Sequence, residues 1–211
     1  MATRSTGKVR EIRRILDVVP GLEVLDLDQA GIPHDPAEDD LEPFDSFEEN
    51  ALSKARWFHA RSGLPVVADD SGIAVDALGG APGVRSKRFA PDADAGGAGL
   101  EGRELDDANN LHLVRSLAGV PPERRTARYV CVAALVEADA EPLLLRGEAP
   151  GVVVDAPRGE GGFGYDPFVF DAEVGKTFAE MTPAEKDARS HRGAAFRALA
   201  RVLADRIGGA G

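Results

Sequence analysis

The chain alternates helix-forming and strand-forming segments along its length, and this alternation limits the folds open to it. Val9, Ile12, Leu16 and Val19 recur at helical spacing before Pro20-Gly21 ends the pattern. Short apolar runs separated by turn residues fill the middle, and an amphipathic helix closes the chain. We find no internal repeat and no linker. The order predicts an α/β fold with a mixed sheet, formed by residues 1–211 as one domain.

Capping signals and apolar runs define the expected elements. Ser46–Glu49 and Thr182–Glu185 are capping boxes that predict helix starts. Asp106 is expected to cap a third helix with Leu111, Val114 and Leu117 facing inward. The predicted strands are 22–27, 66–68, 73–78, 129–136, 143–145, 152–154 and 168–170. The strands at 129–154 are expected to form a hairpin meander.

Composition excludes several classes of protein. The formal net charge is −11, and an acidic surface repels a phosphate backbone, so we expect no nucleic-acid partner. A phosphorylated small molecule needs a local basic pocket or a metal. No apolar run approaches the ~20 residues of a membrane span, and no signal peptide is recognised. Cys131 is expected to be a buried core thiol. These features predict a cytoplasmic protein that does not bind membranes.

A candidate anion site lies at the start of the first predicted helix, in Thr3-Arg4-Ser5-Thr6-Gly7-Lys8. Unpaired backbone N–H groups at a helix N-terminus, with hydroxyls and a lysine, suit a phosphate group. The spacing is not that of a Walker loop. An ordinary capped surface helix is the alternative.

Asp69-Asp70-Ser71-Gly72 is predicted to lie at the end of a short strand, where α/β proteins present catalytic groups. Successive strand side chains point to opposite faces, so we expect one aspartate to face a cleft and the other to pack or hydrogen-bond. A carboxylate at such a position is a good Mg²⁺ ligand. An Asx turn is the alternative.

Gly161–Pro167 combines glycines with aromatic residues. Glycine allows close backbone approach, and the rings of Phe163 and Tyr165 offer flat apolar faces to a planar ligand. Asp166 could accept a hydrogen bond from a ring N–H. A β-turn with packed aromatic side chains is the alternative.

Lys186, His191 and Arg192 form a group of hydrogen-bond donors near the C-terminus, with a helix break expected at Ser190. Such a group suits a phosphate or a carbonyl, although a lone histidine is often structural. The remaining histidines lack ligand spacing, so zinc is not expected.

Taken in order, these motifs resemble the non-canonical purine nucleoside triphosphate pyrophosphatases, the inosine/xanthosine triphosphate pyrophosphatase family. The similar segments are Thr6–Glu11, Phe47–Ala55, Ala68–Gly72, Val75–Gly83, Gly162–Pro167 and Ser190–Gly193. The resemblance extends over nearly the whole chain. It is specific because all six segments occur in the same order and alignment as in the family. The chain departs from the family at Ser5, where asparagine is usual, and in a glycine-rich insertion at Asp94–Gly102 with no assigned role.

The resemblance implies an elongated mixed sheet flanked by helices, two lobes with a central cleft, and a homodimer. It implies Mg²⁺-dependent hydrolysis of ITP, dITP and XTP to the monophosphate and pyrophosphate. By motif, the resemblance assigns the triphosphate to Thr3, Arg4, Ser5, Thr6, Gly7, Lys8 and Lys54, and a further substrate contact to Ser71. It assigns Mg²⁺ to Glu42 (with Glu49 as the alternative) and Asp70, and makes Asp70 the proton acceptor for the attacking water. It assigns the base to Phe163, Gly164, Tyr165, Asp166, Lys186, His191 and Arg192.

Base selection is expected to depend on hydrogen bonding. Hypoxanthine and xanthine carry a carbonyl at C6 where adenine carries an amine, so a donor such as Arg192 or His191 favours them. Guanine shares the carbonyl, so its rejection must arise at C2. Two other hypotheses stay open: a nucleotide-binding protein with impaired catalysis, and a pyrophosphatase for other modified nucleotides, such as modified pyrimidine triphosphates.

Overall fold

The computed structural model describes residues 1–91 and 100–209, so residues 94–99 of the expected insertion lie outside the described part. The helices are α1 (Thr6–Leu16), α2 (Phe47–Ser62), α3 (Gly102–Ser116), α4 (Pro183–Arg189) and α5 (His191–Gly208). The strands are β1 (Val66–Val75), β2 (Thr126–Val136), β3 (Leu143–Val153), β4 (Val169–Asp171) and β5 (Lys176–Thr177). Across the described ranges, no helix is long and apolar enough to cross a membrane.

Ser46 and Thr182, two of the caps predicted from sequence, begin their helices as expected. The Ser46 hydroxyl accepts a hydrogen bond from the Glu49 N–H at 3.2 Å. At α4 the box is reciprocal, because Thr182 Oγ1 accepts from the Glu185 N–H at 3.3 Å and the Glu185 carboxylate accepts from the Thr182 N–H at 2.8 Å. These bonds satisfy backbone donors that a helix leaves unpaired in its first turn.

The strands form one five-stranded sheet in the order β1-β2-β3-β4-β5. The α/β class is confirmed, but the predicted mixed sheet is wrong, since the sheet is antiparallel. β4 pairs with β3 through Val152↔Phe170 and with β5 through Phe170↔Thr177. The short connections that follow β2 and β4 favour antiparallel pairing, because parallel strands need a crossover of a dozen or more residues. The expected strand at 22–27 is not formed.

Two predicted pairs of short strands are each one long strand. β1 runs without interruption through Asp69-Asp70-Ser71-Gly72, which we expected at a strand end. β3 likewise joins the two segments predicted at 143–145 and 152–154. Polar residues and glycine are typical of turns, so we predicted a break within each strand where the structure has none. In β1 the aspartates are buried instead, at 1% and 7% exposure, which brings polar chemistry into the sheet.

Helix α3 begins earlier than predicted. Glu101 is the N-cap and the helix starts at Gly102, so Asp106 lies inside the helix. Leu113 and Leu117 are fully buried, whereas Leu111, which was expected to face inward, is 49% exposed. The predicted inward face is therefore confirmed at Leu117 and wrong at Leu111, and Asp106 lies inside the helix with its side chain partly buried.

The described residues group into two compact units, and the boundary divides β1 after Ser71, β2 after Val130 and β3 after Gly147. Unit 1 comprises 1–71, 131–147 and the described residues from 191 onward; unit 2 comprises the described residues of 72–130 and 148–190. In unit 1, α1 packs against α5 around Ile12 and Phe196, and Cys131 is a buried thiol as expected. In unit 2, Leu113 and Phe178 lie in a second core.

Gly147 allows α5 to approach β3 closely within unit 1. A Cβ atom at this position would lie 2.2 Å from the His191 carbonyl oxygen and 2.5 Å from the Ala195 nitrogen. Both are backbone atoms, so relief of the clash would move the start of α5, which carries Arg192. Gly147 therefore fixes the position of a predicted site residue.

We expect Gly147→Ala to lower the free energy of unfolding by roughly 1–3 kcal/mol, as overpacked substitutions do. Gly208→Ala is the matched control, because its added Cβ would meet nothing within 4 Å. Urea denaturation of the wild type and both variants measures the difference. Equal stability of the two variants would show that the close approach is not present.

Candidate active site

Asp69 lies at the centre of a group of cations in unit 1. Its Oδ2 is 3.0 Å from Lys8 Nζ and 3.5 Å from Arg192 Nε, and it accepts a hydrogen bond from Ser71 Oγ at 3.1 Å. Burial alone would raise the pKa of Asp69, but attraction to Lys8, Arg192 and Lys54 holds that pKa well below its usual value. Asp69 is therefore an ionised counter-ion and a poor proton acceptor.

Asp70 occupies a different environment from Asp69, as the alternation along a strand predicts. Its carboxylate accepts hydrogen bonds from Asn50 Nδ2 at 3.0 Å and from the Ser71 N–H at 2.8 Å. Burial raises the pKa of Asp70 to about 6, and repulsion from Glu42 adds to the effect while Lys54 opposes it. A carboxylate with this pKa is ionised at neutral pH and still binds a proton readily, as a general base requires.

Lys54 is brought to the two aspartates by α2. The lysine forms an ion pair with Glu42, and its side chain is 13% exposed. Burial disfavours the charged amine, but the carboxylates of Glu42, Asp69 and Asp70 outweigh burial and raise the pKa of Lys54. Asn50 precedes Lys54 by one helical turn, so one face of α2 supplies both the amide that holds Asp70 and the nearby cation.

Glu42 and Asp70 are suitable donors for a divalent cation. Their mutual repulsion contributes to the raised pKa of Asp70, and a bound cation would relieve it. The alternative ligand, Glu49, accepts a hydrogen bond from Ser46 Oγ at 2.7 Å at the start of α2. Among the described residues, no group of three or more His, Cys, Asp or Glu side chains could hold a metal. The pair formed by Glu42 and Asp70 is suited to Mg²⁺, because this ion binds one or two carboxylates and takes its other ligands from water and phosphate oxygens.

The N-terminal segment Thr3–Lys8 forms the predicted helix start. Ser5 is the N-cap of α1, and its hydroxyl accepts from the Lys8 N–H at 3.4 Å. The Arg4 guanidinium is held instead by Glu38 at 2.8 Å and by Asp28 at 3.3 Å. Thr6 and Gly7 open the helix, where backbone N–H groups are available to an anion.

Arg192 belongs to the same group of residues in unit 1. Its Nη1 lies 2.6 Å from the Glu11 carboxylate, and its Nη2 donates to Ser71 Oγ at 3.0 Å. His191, the first residue of α5, is buried. The expected contacts of Arg192 and His191 with a base stay predictions.

Sequence reasoning missed Glu11 and Asn50 as members of this group. Glu11 follows Lys8 by three residues on α1, and Asn50 precedes Lys54 by four residues on α2. Side chains at these spacings share a helix face. The helical spacing was therefore a usable signal once one residue of each pair had been identified.

Unit 2 brings the other predicted base-binding residues together around Asp166. Its carboxylate accepts from Lys186 Nζ at 2.7 Å, from the Phe163 N–H at 2.9 Å and from the Tyr129 hydroxyl at 3.3 Å. Lys186 Nζ also lies 4.7 Å from the centroid of the Phe163 ring, which is 39% exposed. The exposed ring and the fixed ammonium group form a small platform suited to a planar ligand.

Tyr165 differs from the sequence expectation of two open aromatic faces. It is 6% exposed, and its hydroxyl donates to the Ser86 carbonyl at 2.7 Å. Its ring lies in the core of unit 2 beside Val169 and Phe178. Tyr165 therefore anchors the glycine-rich loop, and Phe163 supplies the open face.

Comparison with known proteins identifies the family. The site in unit 1 combines cations around Asp69 with the neighbouring carboxylate of Asp70, whose pKa is raised. A model described as "Ham1 family" matches residues 1–202. The dITP/XTP pyrophosphatase of Frankia alni is 48% identical over 204 residues, covering 96% of this chain and 95% of that protein. The corresponding protein of Mycolicibacterium paratuberculosis is 47% identical over 207 residues, covering 96% and 94%.

Solved structures agree with the sequence comparison. A HAM1 protein from Coxiella burnetii superposes with a TM-score of 0.80 at 33% identity, covering 97% of this chain and 96% of that one. A nucleoside-triphosphatase / dITP/XTP pyrophosphatase from Mycobacterium abscessus gives a TM-score of 0.69 at 40% identity, covering 96% of each chain. The chain belongs to the Ham1 family, and the resemblance found in its sequence is confirmed.

The two adjacent aspartates are expected to affect stability in opposite directions. The folded pKa of Asp70, about 6, exceeds its unfolded value of 3.8, so the metal-free protein loses stability as pH rises from about 4 to 6. Asp70→Asn should raise the free energy of unfolding at pH 7.5 by up to roughly 3 kcal/mol, with no gain below pH ~4. Asp69→Asn should lower it by about 3–5 kcal/mol, because buried cations lose their counter-ion.

Urea denaturation of both variants between pH 4 and 7.5, in the presence of a chelator, measures these effects. Loss of stability in Asp70→Asn at pH 7.5 would contradict the assigned environment of Asp70. An unchanged free energy of unfolding in Asp69→Asn would contradict the assigned role of Asp69 as a buried counter-ion.

Proposed function

We propose that this chain is a dITP/XTP pyrophosphatase, which hydrolyses the non-canonical purine nucleotides ITP, dITP and XTP to the monophosphate and pyrophosphate. Its role in nucleotide metabolism is to clear these nucleotides from the pool. Family membership supports the activity. The observation that carries it is the proton-accepting Asp70 beside the cations Lys8 and Lys54.

The triphosphate is bound by residues of unit 1 in this proposal. Lys8, Lys54 and the N–H groups at the start of α1 offset the phosphate charge that the net charge of −11 would otherwise repel. Ser71 and Thr3 add hydroxyl donors. Arg4 contributes through its backbone, because its side chain is engaged with Glu38.

Mg²⁺ is the proposed cofactor, held by Glu42 and Asp70. When bound, it would neutralise phosphate charge and polarise the phosphoryl oxygens. Glu42 is preferred to Glu49 because Glu42 acts electrostatically on Asp70, whereas Glu49 bonds to the helix cap. The remaining positions around the ion are left to phosphate and water.

Asp70 is the proposed proton acceptor. Asn50 and the Ser71 N–H orient its carboxylate, leaving it to take a proton from a water molecule that attacks the α-phosphorus. The bond from the α-phosphorus to the bridging oxygen breaks, and pyrophosphate leaves. Asp69 stays ionised and keeps Lys8 in place.

The base is bound by Phe163–Asp166, Lys186, His191 and Arg192 in this proposal. Phe163 stacks on the purine, and a donor such as Lys186 or Arg192 pairs with the C6 carbonyl. The two lobes with a central cleft, the single domain, the homodimer and the cytoplasmic location that we expected from sequence stay predictions, and family membership is what supports them.

A nucleotide panel with pyrophosphate detection tests the activity. We expect release from dITP, ITP and XTP with Mg²⁺ and little with EDTA, and at least tenfold lower kcat/KM for dATP. Asp70→Asn should lower kcat about 10²–10⁴-fold while remaining folded. Asp76→Asn, at an exposed ion pair of unit 2, is the control and should retain activity.

Two results would contradict the proposed activity, and a third would contradict the role of Asp70. Binding of ITP without hydrolysis would favour a nucleotide-binding protein. Preference for dUTP or methylated pyrimidine triphosphates would favour the other class of pyrophosphatase. Full turnover by Asp70→Asn would remove the role of that residue and leave the activity standing.

A further inference from the structure

Helix α3 holds the glycine-rich loop of unit 2 through both backbone polar groups of Gly164. The Gly164 N–H donates to Asp106 Oδ2 at 2.8 Å, and Asn110 Nδ2 donates to the Gly164 carbonyl at 2.9 Å. Asp106 and Asn110 are four residues apart, so they lie on the same face of the helix. Gly164 has φ +62°, a conformation that favours glycine. The helix therefore fixes the backbone next to Phe163.

These two side chains are not explained well by stability alone. Asn110 Oδ1 is buried, and among the described residues it accepts no hydrogen bond, which costs free energy. Burial raises the pKa of Asp106, and repulsion from Asp166 raises it further. An acid and an amide with an unsatisfied oxygen are costly choices on a buried helix face.

The neighbouring Asn109 shows what a structural asparagine does on the same helix. Its Oδ1 accepts from the N–H groups of Phe89 and Ala90 at 3.0 and 2.8 Å, and its Nδ2 donates to the Lys87 carbonyl at 3.0 Å. It makes no contact with Gly164 among these bonds. Asn109 and Asn110 are 3% and 4% exposed, so they are matched in type, helix and burial.

The loop held in this way carries the base platform. Phe163 precedes Gly164 directly, and its N–H donates to Asp166 Oδ2 at 2.9 Å. The same oxygen accepts a hydrogen bond from Lys186 Nζ at 2.7 Å, and that ammonium group lies 4.7 Å from the centroid of the Phe163 ring. A shift of Gly164 would therefore change the position of the ring relative to the ammonium group.

We propose that Asp106 and Asn110 are positioning residues for base selection, which act by fixing Gly164 and so the spacing between Phe163 and Lys186. This inference rests on the proposed function of the platform as the purine site. It assigns the two residues no part in phosphate chemistry. Their loss should affect the choice of base and leave hydrolysis of a triphosphate without a base unchanged.

Steady-state kinetics of Asp106→Ala and Asn110→Ala test the proposal on dITP, dATP and ribose 5′-triphosphate. We expect the ratio of kcat/KM for dITP to that for dATP to fall about tenfold or more, mainly through a higher KM for dITP. Hydrolysis of ribose 5′-triphosphate should stay within about twofold of the wild type. Asp106→Asn keeps an oxygen acceptor for the Gly164 N–H and should restore most of the ratio.

Two neighbouring residues provide the controls. Asp107→Ala removes an exposed acid from the same helix and should leave the ratio unchanged. Asn109→Ala should destabilise the protein more than Asn110→Ala, because it leaves three backbone groups without their partner, and it should not change the ratio. An equal loss of selectivity in Asn109→Ala would overturn the proposal, because general loosening of α3 would then explain the effect.

Hydrogen exchange at the Gly164 amide provides a readout that does not depend on activity. We expect faster exchange in Asp106→Ala and wild-type exchange in Asp107→Ala. Faster exchange with an unchanged dITP/dATP ratio would overturn the positioning role while leaving the proposed function intact. A wild-type protein with no preference for dITP over dATP would instead overturn the proposed function, and this inference with it.

Discussion

The buried carboxylate of Asp69 is the interaction on which the rest of unit 1 depends. Burial of a lone charge is costly, and only the surrounding cations make an ionised aspartate tenable there. Lys8 from α1 and Arg192 from α5 both meet it, and Lys54 from α2 acts on it electrostatically. One side chain of β1 therefore attracts cations from three helices. The apolar core between α1 and α5 lies in the same unit.

Asp69 also explains why its neighbour is free to serve a different purpose. With Asp69 as the main partner of the cations, Asp70 accepts hydrogen bonds only from amide groups, and burial together with repulsion from Glu42 outweighs the attraction of Lys54 and raises the pKa of Asp70 to about 6. Two adjacent residues of the same type thus differ in pKa because alternate faces of one strand present them to different neighbours. Asp69 and Asp70 therefore differ in role because β1 presents one of them to the cations and the other to amide groups.

Local signals were sufficient to predict the starts of α2 and α4 and the family, and insufficient to predict the start of α3 or the course of the sheet. Capping boxes act over three or four residues, so Ser46 and Thr182 could be identified from sequence alone. The continuity of β1 through Asp69-Asp70-Ser71 depends on partners far along the chain, such as Arg192, and no short window contains them. The hydrogen bonds of Asp106 and Asn110 with Gly164 were hidden for the same reason, and the assignment of Asp106 as a helix cap concealed them further.

Three cations of the candidate site in unit 1 each pair with a different carboxylate: Lys8 with Asp69, Lys54 with Glu42 and Arg192 with Glu11. These pairs leave little uncompensated charge in this region, so in the proposed function an incoming triphosphate must compete with Asp69 and Glu42 for the ammonium groups of Lys8 and Lys54. When that polyanion departs, the same carboxylates reclaim their partners. Such a built-in exchange weakens product retention, which suits a catalyst that must empty itself after each turnover.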